Sequence, residues 1–137
     1  MLKKLVVSLG TMLLAFGMFF GSEAFAATYV GTGFWATEDG KWDYTFSTTS
    51  SERNVELSIY NVYRVNYNNG VKKYQDDLTA ASVRLCNAST GNCTAYKKFS
   101  PGGVATFTNM IPGQYRVDII DGYPSYYFEG YVDVFRY

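Results

Sequence analysis

Apolar and polar residues alternate with a period of two along most of the chain after residue 27, and helical periodicity is scarce. This alternation is typical of β-strands that bury one face. Turn residues interrupt it at a spacing of roughly eight to twelve residues, which is common in sandwich folds. The pattern predicts an all-β domain of about eight or nine strands, arranged as an antiparallel β-sandwich rather than a barrel.

Two short turn motifs predict β-hairpins, because both of their central positions tolerate a positive φ. Asp39-Gly40 would join TYVGTGFWAT to KWDYTFSTT, pairing Trp35 with Tyr44 and Gly33 with Phe46. The glycines would leave room for aromatic rings on a core-facing side that carries Trp35, Trp42, Tyr44 and Phe46. Asn69-Gly70 would join NVELSIYNVYRVNY to VKKYQDD.

The same alternation assigns residues to the buried faces of the other strands. The strand NVELSIYNVYRVNY should bury Val55, Leu57, Ile59, Tyr63, Val65 and Tyr67. The strand ASVRL should bury Ala81, Val83 and Leu85, and the strand QYRVDII should bury Tyr115, Val117 and Ile119. Gly130 interrupts the last strand, YYFEGYVDVFRY, and predicts either a bulge or a close approach of another backbone.

The first 26 residues have the pattern of a cleavable signal peptide. Lys3 and Lys4 precede an apolar run, and Ala24 and Ala26 occupy the small-residue positions of a cleavage site between Ala26 and Ala27. A membrane anchor is the alternative, but the apolar run is shorter than the ~20 residues that span a bilayer. We therefore expect a signal peptide over 1–26 and one secreted, extracellular domain over 27–137, with no integral membrane segment after cleavage.

The two cysteines, Cys86 and Cys93, flank a short polar segment in a chain expected to be secreted, where thiols oxidise. A hairpin centred on Ser89-Thr90-Gly91 would place them opposite each other at a separation that a disulfide can span. The segment therefore predicts one cross-strand disulfide. Asn87 and Asn92 match the N-glycosylation pattern but are interpreted as turn residues.

Charge and residue types restrict the function. Without the leader, the chain has ten basic and eleven acidic side chains and no cluster of positive charge, so neither a nucleic acid nor an anionic membrane is an expected partner. The chain contains no histidine, which excludes a Ser-His-Asp triad and histidine-bearing metal sites. Paired carboxylates could still catalyse, but the acids lie mainly in turns and at strand ends. We expect no catalysis, no cofactor and no metal site; the loop ATEDGKWD is interpreted as a plain turn rather than a calcium site.

The segment SVRLCNASTGNCTAYKKFSPGGVATFTNMIPGQYRVDII, residues 82–121, resembles B-type repeats of Gram-positive surface adhesins. The matching positions are Val83 and Leu85, Gly91, Gly103 with Phe107, and Pro112-Gly113 with Tyr115 and Val117. The resemblance implies a prealbumin-like β-sandwich with an extracellular, non-enzymatic role. Together with the leader, it indicates a Gram-positive bacterial source.

Aromatic residues are abundant, with 13 tyrosines, 10 phenylalanines and 2 tryptophans, and YPSYYFEGY contains four of the tyrosines. Tyrosine and tryptophan combine an apolar ring with a polar tip, which suits sugar stacking or a protein interface. The candidate ligand-binding residues are Tyr123, Tyr126, Tyr127, Tyr131, Trp35 and Trp42. We expect a binding or structural module for cell-wall polysaccharide or an extracellular protein. The alternatives are a secreted effector, such as an enzyme inhibitor or a small antimicrobial protein, and aromatic rings that merely fill the core.

Overall fold

A computed structural model describes residues 26–137 of the chain. The predicted signal peptide over 1–26 lies outside the described residues, except for Ala26. Across this described range, no helix has the length and apolar character needed to cross a membrane.

The described chain is built from nine strands and one short 3-10 turn, which confirms the predicted all-β class. The 3-10 turn spans Leu78–Ala80, between β4 and β5. The strands are β1 (Thr28–Ala36), β2 (Tyr44–Thr48), β3 (Val55–Asn66), β4 (Lys72–Tyr74), β5 (Ala81–Asn87), β6 (Lys97–Lys98), β7 (Val104–Phe107), β8 (Gly113–Asp121) and β9 (Tyr126–Arg136).

The strands form the two antiparallel sheets of the predicted β-sandwich. Sheet A has the order β1-β9-β3-β4, and β7 pairs with the first half of β3; sheet B has the order β2-β8-β5-β6. The core lies between the sheets. Its inward-facing residues include the two sets predicted for β5 and β8, namely Ala81, Val83, Leu85, Tyr115, Val117 and Ile119.

The predicted hairpin at Asp39-Gly40 is wrong, because β1 and β2 belong to different sheets. A turn does form there: Gly40 has a φ of 72° and the Asp39 carboxylate accepts a hydrogen bond from the Lys41 N–H at 2.9 Å. The chain then crosses to the other sheet, so that Trp35 pairs with Gly130 on β9 instead of with Tyr44. Gly33 does leave room for a ring, as predicted, since an added Cβ would lie 2.6 Å from Tyr44 Cδ2.

The hairpin predicted at Asn69-Gly70 is confirmed, since β3 pairs with β4. A bulge interrupts β3 between Tyr60 and Tyr63, where Asn61 has a φ of 49°. Gly130 lies opposite this bulge, and a Cβ there would be 3.0 Å from the carbonyl oxygen of Tyr60. The predicted close approach at Gly130 is therefore confirmed.

The bulge reverses which face of β3 points inward. Val55, Leu57 and Ile59 enter the core as predicted, but after the bulge Val62 takes the inward position. Tyr63 and Val65 pair with Glu129 and Tyr127 on the opposite, outer face. The assignment of Tyr63 and Tyr67 to the buried side was wrong, because one extra residue shifts the alternation by one position, whereas Val65 is buried as predicted.

The disulfide between Cys86 and Cys93 is confirmed. The two residues form an antiparallel bridge with a Cα–Cα distance of 4.0 Å. Asn87 acts as a turn residue, since its side-chain oxygen accepts hydrogen bonds from the N–H groups of Ser89 and Thr90 at 2.9 and 3.0 Å. The hairpin geometry is thus set by the turn and closed by the disulfide.

Replacing Cys86 and Cys93 together by alanine should lower the free energy of unfolding by about 2 kcal/mol, because the disulfide closes only a short loop in the unfolded chain. Urea unfolding followed by circular dichroism measures this loss. Reduction of the wild-type disulfide provides the control and should give a similar loss. A protein that no longer folds after either treatment would contradict the prediction.

Candidate functional site

The outer surface of sheet A carries many aromatic side chains, here called the aromatic face. The pairing of the strands shows that these side chains belong to β1, β3, β4 and β9 and to the residue that follows β3. The aromatic face comprises Tyr29, Phe34, Tyr60, Tyr63, Tyr67, Tyr74, Tyr127, Tyr131 and Phe135. Seven of these nine are exposed, so solvent or a ligand can reach most of the face.

The rings of the aromatic face contact one another across the strands. Phe34, Tyr131 and Tyr60 form a row across β1, β9 and β3, with successive ring centroids 5.6 and 5.8 Å apart. Tyr63 and Tyr74 continue the face onto β4, with centroids 5.6 Å apart. Cross-strand aromatic pairs of this kind contribute about 0.5–1.5 kcal/mol each beyond their area burial. Within each of these groups, the rings therefore stabilise one another.

The β3 bulge creates a depression within the aromatic face. Its volume is about 320 Å³, near the lower end of the ~300–1,000 Å³ typical of small-molecule sites. Aromatic and polar groups both line it: Phe34, Asn61, Tyr63, Lys72, Glu129, Gly130 and Tyr131. Because a side chain at position 130 would meet the bulged backbone, glycine is what allows β9 and β3 to approach closely here.

Charged groups lie among the rings. Lys72 and Glu129 form an ion pair at the depression, and the hydrogen bond to Glu129 raises the pKa of the Lys72 ammonium. One row away, the Asp133 carboxylate accepts hydrogen bonds from the hydroxyls of Thr32 and Tyr60, the second at 3.4 Å. The aromatic face thus offers both hydrogen-bond donors and hydrogen-bond acceptors beside apolar rings.

Four of the six candidate binding residues lie on β9 or just before it. Tyr131 is central in the aromatic face and 42% exposed, and Tyr127 lies on the same face with its ring centroid 5.3 Å from that of Tyr67. Tyr123 lies at one end of the sandwich and stacks on Phe128 at 5.4 Å. Tyr126 is half-buried and packs against the core. Tyr123 and Tyr126 therefore do not belong to the aromatic face.

The two tryptophans lie in other parts of the molecule. Trp35 is only 1% exposed and belongs to the core, so its assignment as a ligand-binding residue is corrected. Trp42 is exposed, contrary to the expectation that it faces the core. Its ring lies 5.5 Å from the Arg116 guanidinium on the outer side of sheet B. Trp42 therefore cannot act together with the rings of sheet A.

Trp42 lines a second depression of about 360 Å³ together with Tyr96 and Asp118. One Asp118 oxygen accepts hydrogen bonds from Arg84 Nε and from the Tyr96 hydroxyl, both at 2.7 Å. Desolvation and the hydrogen bond to Asp118 raise the pKa of Tyr96 to about 12. Arg84, Tyr96 and Asp118 are therefore hydrogen-bonded to one another.

Several carboxylates that could form catalytic pairs have structural partners. Asp77 accepts a hydrogen bond from the Thr79 N–H at 3.1 Å in the 3-10 turn, and Glu38 accepts one from the Tyr67 hydroxyl. Asp118, Glu129 and Asp133 are engaged as described above. Among residues 26–137, no group of three or more acidic or cysteine side chains is placed to hold a metal ion.

Asp43 is a buried acid that no sequence motif marks. One of its oxygens accepts a hydrogen bond from the Ile119 N–H at 2.6 Å. Burial, followed by the nearby charges of Asp39 and Asp118, raises its pKa to about 7, against the lowering effect of hydrogen bonds from Ile119 and Ala36. The Asp43 N–H also donates to the Val117 carbonyl at 2.9 Å, so Asp43 attaches the segment that crosses between the sheets to β8.

Most members of the aromatic face are not predicted by alternation along single strands. Tyr63 and Tyr67 were assigned to the core side, and Tyr60 and Phe34 were not singled out. The available signal was Asn61, because asparagine inside a strand pattern tolerates a positive φ and can mark a bulge. A bulge at that position would have placed Tyr60 and Tyr63 on one surface.

Comparisons with known proteins place no family name on the chain. No family model matches the sequence, and no curated protein matches it. Among solved structures, one match is a carbohydrate-binding module from Cellvibrio mixtus lichenase 5A, in complex with cellotriose. It is 12% identical, covers 78% of this chain and 88% of that chain, and has a TM-score of 0.29. A similarity of this size assigns no function, so the functional argument rests on the geometry of the aromatic face.

Proposed function

We propose that this protein is a secreted, non-catalytic module that binds a polysaccharide of the cell wall through the aromatic face. The observation that carries the proposal is the placement of nine aromatic side chains on one surface of sheet A, with adjacent rings in contact. Monomeric proteins seldom expose a large apolar patch, and such patches commonly mark interaction sites.

The chemistry of the face fits a saccharide better than a purely apolar partner. Seven of the nine aromatic residues are tyrosines, whose hydroxyls can exchange hydrogen bonds with sugar hydroxyls while the rings cover apolar C–H groups. Glu129, Lys72 and Asn61 add polar groups around the depression, where one sugar ring could be oriented. A mixture of apolar walls and a few placed polar groups is typical of specific ligand sites.

Three further observations support secretion, a role at the cell surface and binding without catalysis. The leader pattern over 1–26 favours secretion. The resemblance of residues 82–121 to B-type adhesin repeats favours a surface role in a Gram-positive bacterium. The sequence lacks histidine, and the carboxylates near the two depressions are held by hydrogen bonds or an ion pair, which favours binding over catalysis.

Substituting Tyr60 and Tyr131 together by alanine is expected to weaken binding to purified Gram-positive cell walls at least tenfold, because aromatic anchors at the centre of a site contribute upward of ~1–2 kcal/mol. Sedimentation of the protein with washed walls, followed by a salt wash, measures the retained fraction. Removing teichoic acid from the walls then separates binding to peptidoglycan from binding to the anionic polymer.

Tyr96→Ala is the matched control, since Tyr96 is 40% exposed but lies on the outer side of sheet B. This variant should be retained like the wild type. Equal loss from the control and the double variant would contradict the aromatic face as the site. If the wild type is not retained and instead inhibits a lysozyme in the same mixture, the effector alternative replaces the proposal.

A further inference from the structure

Strand β1 forms one edge of sheet A and differs from the other sheet edges. It is nine residues long, and its sequence TYVGTGFWA carries no charge. The other edge strands are all shorter: β2 and β7 have five and four residues without charge, whereas β4 and β6 have three and two residues and each contains two lysines. Short length and lysine are common features that prevent edge-to-edge pairing. Strand β1 contains no lysine and is the longest of these edges, so it offers the most backbone for pairing with another strand.

The hydrogen bonds between β1 and β9 show which backbone N–H and C=O groups of β1 point away from β9. The Thr37 N–H donates to the Phe128 carbonyl of β9 at 2.8 Å, and neighbouring residues of a strand point their backbone groups alternately to its two sides. The backbone groups of Thr32 and Phe34 therefore point away from β9. Within residues 26–137, no strand pairs with β1 on this open side.

Phe34 provides a second observation at the same edge. It is 55% exposed, and its ring contacts Tyr131 on one side, at a centroid distance of 5.6 Å. Unlike the tyrosines around it, phenylalanine has no hydroxyl that would benefit from contact with water. Its position at the end of the Phe34, Tyr131 and Tyr60 row leaves one side of the ring uncovered.

We propose that a second copy of this chain pairs with β1 in an antiparallel, two-fold arrangement centred on Gly33. Thr32 of each copy would lie opposite Phe34 of the other, and these residues would exchange four backbone hydrogen bonds. A two-fold contact brings the same strand of both copies together, and β1 carries no charges that would repel each other there. The two Phe34 rings become diagonal neighbours at ~7–8 Å, within reach of each other. The dimer joins both aromatic faces into one surface.

The test uses the mature chain, with sedimentation equilibrium over a range of concentrations up to about 1 mM, where even weak pairing is measurable. We expect the wild type to dimerise reversibly. Thr32→Pro should weaken the dimer at least tenfold, because proline removes the outward N–H and is tolerated on an edge strand. Thr32→Val is the matched control, since it also loses the hydroxyl but keeps the N–H, and it should dimerise like the wild type.

A wild type that stays monomeric at every concentration overturns the proposal, and so does a Thr32→Val variant that dissociates as readily as Thr32→Pro. Circular dichroism shows whether Thr32→Pro has folded. If it has not, Phe34→Lys decides the question, because it places like charges next to each other at the proposed contact. Tyr74→Lys puts the same charge on the opposite edge of sheet A and should leave the dimer unchanged. A dimer that persists in Phe34→Lys also overturns the proposal.

Discussion

Replacing Asp43 by asparagine is expected to abolish most of the fall in the free energy of unfolding that the wild-type protein shows between about pH 4 and pH 7. The raised pKa of Asp43, about 7 against an ordinary 3.8, is the reason. Between these values the carboxyl group is protonated in the folded protein and ionised in the unfolded chain. The folded state binds the additional proton, so the free energy of unfolding falls as pH rises.

The stabilisation from this group is complete below about pH 4 and is lost as pH rises through about 7. Each pH unit changes the free energy of unfolding by 1.36 kcal/mol per proton, so the total loss approaches ~4 kcal/mol. This is a large part of the ~5–15 kcal/mol by which domains are stable. Asparagine cannot ionise, yet its side-chain oxygen can still accept the hydrogen bond from Ile119.

Urea unfolding at several pH values across this range measures the slope for the wild type and for Asp43→Asn. Asp133→Asn is the control, because this carboxylate lies on the aromatic face and bonds to Thr32 and Tyr60. The control should keep the wild-type slope. A wild type whose stability rises with pH across this range would show that Asp43 is ionised in the folded protein.

Trp35→Ala is expected to lower the free energy of unfolding by about 3–5 kcal/mol, the usual range for removing a large aromatic side chain from a core. Trp35 is one of the largest fully buried side chains of the protein and packs between the two sheets. Because the ring faces inward, the loss should appear in thermal and urea unfolding.

Trp35→Phe separates this structural role from ligand binding. It keeps most of the ring, so it should cost clearly less stability than alanine, and wall retention should match that of the wild type. Reduced retention by a folded Trp35→Phe variant, with unchanged retention by the Tyr60 and Tyr131 double variant, would contradict our placement of the site.

Local patterns predicted the features of this fold that depend on local sequence. The alternation in β5 and β8 correctly gave their buried residues, and the Asn69-Gly70 turn correctly gave the β3–β4 hairpin. Cys86 and Cys93 were paired correctly because only a few residues separate them. Each of these features is determined within one strand or one turn.

The errors occurred where distant strands decide the outcome. Asp39-Gly40 predicted a turn, but a turn motif does not determine whether its two strands hydrogen-bond to each other or enter opposite sheets. One inserted residue at Asn61 moved Tyr63 from the predicted core side to the outer surface. The aromatic face depends on this bulge and on the pairing of β1, β9 and β3, so alternation along single strands could not reveal it.

The packing of Tyr44 over Gly31 and Gly33 also determines the alignment of β1. Both glycines face the interior, and a Cβ at either position would overlap the Tyr44 ring. If β1 slid by one residue along β9, a threonine or valine side chain would occupy the space of that ring, and Phe34 would turn inward. A tyrosine of one sheet thus excludes the neighbouring alignments of a strand in the other, and the arrangement of rings on the outer surface is specified from the inside of the protein.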